Sequence, residues 1–151
     1  MTRFEPRDPD FEAKVRRSFS RQTAMQTLGA ELGRVEPGAV EIEMPYRADL
    51  TQQHGFVHGG IVTAILDSAC GYAAFSLSAA DTAISTVEYK VNFVSTAKGE
   101  RLLARGEVVR PGATITVCKG EVIFYDGSEE KLVATMLMTM MSLSKRPDLV
   151  D

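Results

Sequence analysis

From Ile61 to about Ala79 the chain reads as a helix without a polar face. Ile61, Val62, Ile65, Leu66, Cys70, Tyr72 and Phe75 fall all round it, and Ala64, Ala69, Gly71, Ala73 and Ala74 fill several sides. A helix of this kind is buried on every side rather than along one stripe. The uninterrupted apolar run is too short for a membrane span, because Asp67 and Gly71 break Ile61–Leu77 before it reaches the roughly 20 apolar residues a bilayer requires. The rest of the chain must therefore wrap it.

The wrapping material is β-structure. Before the helix, Ala30–Val35, the turn Glu36-Pro37-Gly38-Ala39 and Val40–Met44 predict a short strand pair, the second member alternating Val40, Ile42, Met44 against Glu41, Glu43. After it come four strand signals. Val87, Tyr89, Val91 and Phe93 alternate with Glu88, Lys90 and Asn92; Leu102–Val109 ends at Arg110-Pro111-Gly112-Ala113; Thr114–Tyr125 ends at Asp126-Gly127-Ser128; Leu132–Leu143 completes the set. Such short turns make consecutive strands antiparallel neighbours. Upstream, Asp10–Leu28 reads as a first helix, with Phe11, Val15, Phe19, Ala24 and Leu28 near helical spacing, Asp10 as its cap and Gly29 as its stop. The class is α+β: one long antiparallel sheet curled round one central helix, plus an N-terminal helix. A curled sheet keeps two edges, and at least one is expected to pair with a second copy in a twofold dimer.

At 151 residues, 44% hydrophobic and 25% charged, the chain suits one globular domain over 1–151, with 1–29 as its helical head. The net charge of −3 and the pI near 5.5 offer no basic face for nucleic acid. Cys70 and Cys118 lie far apart in apolar stretches and read as reduced core thiols. The start Met1–Asp10, charged and containing Pro6 and Pro9, does not read as a secretory signal, so a cytoplasmic protein is expected.

Chemistry concentrates in Gln52-Gln53-His54-Gly55-Phe56-Val57-His58-Gly59-Gly60 and the helix that follows. Asp67 is the sole acidic or basic residue between Ile61 and Ala79. A buried carboxylate persists only when it is paired, hydrogen-bonded or used. Two glycines entering a helix leave backbone N–H groups unobstructed at its positive end, a place suited to an oxyanion. Eight residues of helix separate Gly59 from Asp67, about 12 Å at 1.5 Å per residue. One protomer cannot turn both on a single substrate. Antiparallel central helices in a dimer would bring Asp67 of one copy to Gly59 of the other, making two composite sites.

These residues resemble the hotdog-fold acyl-CoA thioesterases, in particular the branch with the phenylacetate-degradation and 4-hydroxybenzoyl-CoA thioesterases. The matching pattern is Gln52, Gly55, His58-Gly59-Gly60 and an acid nine residues after the histidine, Asp67. The resemblance extends from Leu28-Gly29-Ala30 to Met140-Met141. It implies the hotdog fold and a thioester hydrolase acting on acyl-CoA, without cofactor or metal, as a homodimer or a dimer of dimers. It implies Asp67 as nucleophile or as the base that activates water, and the Gly59 N–H as donor to the thioester carbonyl. His58 would order the turn beside Gly60, Gln52 (or Gln53) would orient the carbonyl or water, and Thr86 (or Ser85) would assist the acid. Relatives often carry Asn where this chain has Gln52. Gly60, Arg110 and Thr114 are candidates for binding the substrate, Arg110 and Thr114 through the CoA phosphates.

Two other classes on this fold are weighed against it. A hydratase or dehydratase pairs a His with an acid, and this helix has no His beyond its start; an acyl-thioester sensor calls for a DNA-binding extension that the head before Leu28 is too small to hold. His54, His58 and Asp67 do not share a helical face as the ligands of an HExxH metal site do. Met136, Met138, Met140 and Met141 read as flexible core filler.

Overall fold

Two glycines decide how closely the central helix can lie on the sheet. Gly106 and Gly120 are direct cross-strand partners. A Cβ at Gly106 would stand 2.4 Å from the Ala69 carbonyl, and one at Gly120 would stand 2.7 Å from Cys70 Sγ. Any side chain there would lift the helix from its bed.

The structure, a computed structural model, describes residues 4–149, so the charged start Met1–Arg3 lies outside the described residues. Its elements are α1 (Phe11–Ser20), α2 (Thr23–Leu28), β1 (Glu31–Glu36), β2 (Ala39–Pro45), α3 (Gly59–Phe75), β3 (Thr82–Phe93), β4 (Arg101–Arg110), β5 (Ile115–Asp126) and β6 (Glu129–Ser144), with short 3₁₀ turns at Ala48–Leu50 and Pro147–Leu149. The six strands form one antiparallel sheet in the order β1-β2-β4-β5-β6-β3. It carries α3 across β2, β4 and β5, the hotdog arrangement expected from the sequence. Ile65 and Leu66 of α3 are fully buried and belong to one core cluster with Ile42, Met44, Leu102 and Val122 of the sheet. Among the described residues no helix is long and apolar enough to cross a membrane. Cys70 and Cys118 are both buried free thiols.

Three local expectations are overturned. The first helix is two helices, broken at Arg21–Gln22. Ser20 Oγ turns back to donate to the Arg17 carbonyl at 2.7 Å, and Gln22 takes an extended conformation (φ −81°, ψ 91°). Asp10 stands at the N-terminus of α1 without capping it; instead Asp8 Oδ1 accepts the Asp10 N–H at 2.9 Å. Gly29 ends α2 in the left-handed region as expected (φ 68°). Helix α3 begins at Gly59 and stops at Phe75, short of Ala79. The Ser76 and Ser78 hydroxyls donate to the carbonyls of Ala73 (2.7 Å) and Phe75 (2.8 Å) where the helix ends.

A further correction concerns burial. Helix α3 is not enclosed on every side within one protomer: Ile61, Ala64, Asp67 and Gly71 form a half-buried stripe and Gly60 is exposed. The sheet curls only partway, and its edge strand β3 leaves Val87, Tyr89, Phe93 and Val94 open to solvent.

A bulge sets which residues of β3 face the helix. Tyr89, Val91 and Phe93 pair with Met138, Met136 and Ala134, on the side where those β6 residues are buried. The register then shifts between Thr86 and Glu88, so Thr86 pairs with Met140 on that same side.

At the other end of α3, Lys14 ties the N-terminal segment down. Its buried Nζ donates to the Ser78 carbonyl (2.7 Å) and hydroxyl (3.1 Å), lies 3.7 Å from Asp8 and stands 4.6 Å above the Phe75 ring.

Candidate active site

The loop before α3 is held by its backbone. Gly55 has φ +81°, which a side chain resists, and this closes a turn in which its N–H donates to the Gln52 carbonyl at 3.1 Å. Gln52 N–H donates to the Phe56 carbonyl (2.9 Å), and the Tyr46 hydroxyl donates to the Gly55 carbonyl (2.8 Å). The Val57 and His58 N–H groups donate to the carbonyls of Ala97 and Leu50. The Gln52 carboxamide is drawn into this turn, its Oε1 accepting the His54 N–H. Gln53 and His54 are exposed.

His58 caps α3. Its Nδ1 accepts the Gly60 N–H at 2.9 Å, so the neutral ring carries its proton on Nε2. A Cβ at Gly60 would come within 3.1 Å of that nitrogen, which is why the second glycine suits the cap. The Gly59 N–H donates to no group among the described residues. It stands in the first turn of α3, where unpaired N–H groups and the helix dipole favour negative charge. The Phe93 ring, from the end of β3, rests on Gly59, with one ring carbon 3.2 Å from where a Cβ would be.

Asp67 lies two turns further along. Its Oδ1 accepts a hydrogen bond from the Thr86 hydroxyl at 2.9 Å, and no ion pair reaches it among the described residues. Partial burial pushes its carboxyl above the ordinary aspartate value, and the Thr86 bond offsets part of that rise. Between Thr86 and Ser85, then, Thr86 meets the acid, while Ser85 lines the same cavity. That cavity, about 440 Å³, runs from Asp67 past Gly71 and Phe75 to Leu143. Met140, read from the sequence as filler, lines it and lies 3.7 Å from Thr86 Oγ1 through its sulfur.

Several lining residues have no signature in the sequence. Ser18 and Gln22 reach the cavity from the N-terminal segment, and Tyr72 comes from α3. Only the break at Arg21–Gln22 could have pointed to Gln22. Arg110 and Thr114 flank the β4–β5 turn, exposed, and neither lines the Asp67 cavity. The thiols are unsuited to nucleophilic attack, since burial pushes Cys118 up to about 12 and Cys70 well above its usual value. No three His, Cys, Asp or Glu side chains cluster among the described residues.

The chain as a whole is similar to known proteins. The model of the Thioesterase superfamily matches residues 54–131. A thioesterase family protein from Silicibacter pomeroyi is 53% identical, with a TM-score of 0.88 over 89% of this chain and 98% of that one. Two more distant structures share the fold. They are the Escherichia coli PaaI protein from the phenylacetic acid degradation operon (18% identical, TM-score 0.82, covering 91% of this chain and 96% of that one) and a thioesterase from Haemophilus influenzae (19%, TM-score 0.76, covering 84% and 87%). The matched segment spans more than half of the chain, including the loop, the acid-bearing helix and β3 to β5, and on that evidence the protein belongs to the thioesterase superfamily.

Proposed function

We propose that the protein hydrolyses acyl-CoA thioesters to the free acid and CoA, in two sites shared across a twofold dimer. Asp67 supports this reading most directly: it is a carboxylate kept without a countercharge, held by one hydroxyl, at the wall of a cavity. A thioester carbonyl is electrophilic and its thiolate leaves readily, so a carboxylate and one good anion donor are enough. Asp67 either attacks the carbonyl carbon, forming an acyl-aspartyl anhydride that water then cleaves to the free acid and the regenerated carboxylate, or takes a proton from the water that attacks. As the tetrahedral oxyanion forms, the Gly59 N–H of the second copy stabilises it, and collapse of the intermediate expels CoA thiolate. Gln52, through the Nε2 left free by its turn, orients the carbonyl or the water. His58 holds the Gly59–Gly60 turn, and Arg110 and Thr114 meet the CoA phosphates.

The edge strand supports the shared site. Thr86, which holds the acid, and Phe93, which rests on Gly59, lie seven residues apart on one exposed edge strand. Antiparallel pairing of two β3 edges about an axis near Tyr89–Lys90 carries Thr86 of one copy toward Phe93 of the other, and so Asp67 toward the second Gly59.

The test is thiol release across short, medium, long and aryl acyl-CoAs, with Asp67→Asn as control and light scattering for mass. The expected result is turnover by a dimer or larger assembly and a loss of about 10³-fold or more in the folded variant. Full activity in Asp67→Asn, or an active monomer, would sink the assignment. Acyl-CoA binding without thiol release would make the protein a sensor instead.

A further inference from the structure

The cavity at Asp67 is closed on one side by the N-terminal segment, through Ser18 and Gln22. Gln22 is held from several directions. Its N–H donates to the Phe19 carbonyl at 3.0 Å and its carbonyl accepts the Met25 N–H at 3.1 Å. Its side-chain Oε1 accepts from the hydroxyl of Ser68, the residue next to Asp67, at 3.2 Å. This leaves the side-chain Nε2 donors without an acceptor among the described residues, in a half-buried position beside the cavity. Nearby, the Ser18 and Tyr72 hydroxyls lie 3.4 Å apart.

A plain hydrocarbon laid against this wall would strip water from the amide donors and return nothing, whereas an oxygen on the substrate would satisfy them. That oxygen should be neutral. Among the described residues Asp67 is the one charged side chain lining the cavity and no Lys, Arg or His lines it, so an acyl group ending in a second carboxylate meets repulsion.

We infer that this pocket takes acyl groups bearing a neutral oxygen, a hydroxyl or a ketone, and that Gln22 is the residue that selects them. The inference rests on the hydrolase reading above. Selection is by a rigidly placed donor: Gln22 joins two helices through its backbone and is steadied by Ser68, so its amide does not swing away when the substrate lacks a partner.

The experiment compares kcat/KM for hexanoyl-CoA, 3-hydroxyhexanoyl-CoA, 5-hydroxyhexanoyl-CoA and adipoyl-CoA in the wild type and in Gln22→Leu. At least one hydroxy ester should exceed hexanoyl-CoA by about tenfold in the wild type, and adipoyl-CoA should be slowest. Gln22→Leu should cut the hydroxy preference to within about threefold, chiefly by slowing the hydroxy esters. Should the leucine variant be unstable, Gln22→Met keeps the length of the side chain without its donors and serves the same comparison. Hexanoyl-CoA turned over as well as both hydroxy esters, or a variant that depresses every ester alike, would overturn the inference and leave the hydrolase reading standing. Release from none of the four would overturn both.

Discussion

The Thr86 hydroxyl reaches from the edge strand β3 to the middle of helix α3 and donates to Asp67 Oδ1 at 2.9 Å. Burial and this bond pull the acid in opposite directions, burial being the stronger, so the carboxyl titrates above the ordinary aspartate value. Activity that needs the carboxylate should fall as pH drops through that raised value. Thr86→Val removes the opposing bond and should move the acid limb of the kcat/KM profile to higher pH, with the plateau about tenfold lower. An acid limb that does not move would remove Thr86 from control of the acid.

The same raised value has a consequence for stability. A carboxyl that binds its proton more tightly folded than unfolded stabilises the fold below the unfolded value near 3.8, and that contribution is lost as pH rises through the folded value. Near neutral pH the ionised acid is therefore a burden. Asp67→Asn, which keeps an acceptor for Thr86, should raise Tm at pH 7, with the gain narrowing toward pH 4. Thermal melts across that range check both the sign and the trend.

His58 starts the helix that carries the acid. Its Nδ1 satisfies the Gly60 N–H, so His58→Ala should cost about 1 kcal/mol of stability, whereas His58→Asn, which can cap through its own oxygen, should cost only a few tenths. Denaturant unfolding of the two variants separates loss of the cap from loss of the ring. Equal destabilisation would count against capping as the role of His58 in the fold.

The Phe93 ring lies over Gly59, where an added Cβ would stand 3.2 Å from it, so a methyl there presses on the ring. Gly59→Ala should leave the protein folded while displacing the ring, and kcat/KM should fall about 10²-fold as the carbonyl loses alignment with the N–H. Adding Phe93→Ala to that variant should recover about tenfold, the double-mutant signature of a steric rather than a chemical loss. Without recovery, the added methyl itself blocks the carbonyl position.

Much of this protein was legible along the chain because its signals are short-range. An all-apolar helix with one acid, strands of period two and turns rich in Gly and Pro each state their own local structure, and the strand boundaries lie within about three residues of expectation except at the start of β3, which begins at Thr82, five residues before Val87. The first helix misled because its apolar spacing runs through Arg21–Gln22, where side-chain hydrogen bonds outweigh periodicity. Full burial of α3 failed for another reason. Composition says that a face must be covered, but the curl of the sheet decides how much of it one copy covers.

The pairing of Asp67 with Thr86 marks the divide. The sequence by itself determined that an acid would stand in a buried helix behind a His-Gly-Gly start, since helix periodicity and the charge of a carboxylate are properties of neighbours in the chain. The family resemblance named Thr86 with Ser85 as its rival, although strict alternation down from Phe93, Val91, Tyr89 and Val87 runs to Ser85. Tertiary structure chose Thr86 through a one-residue bulge, and it brought Gln22, 45 residues upstream, to the same cavity. Bulges and long-range packing are settled by how whole elements fit against one another, and no window of sequence contains that energy.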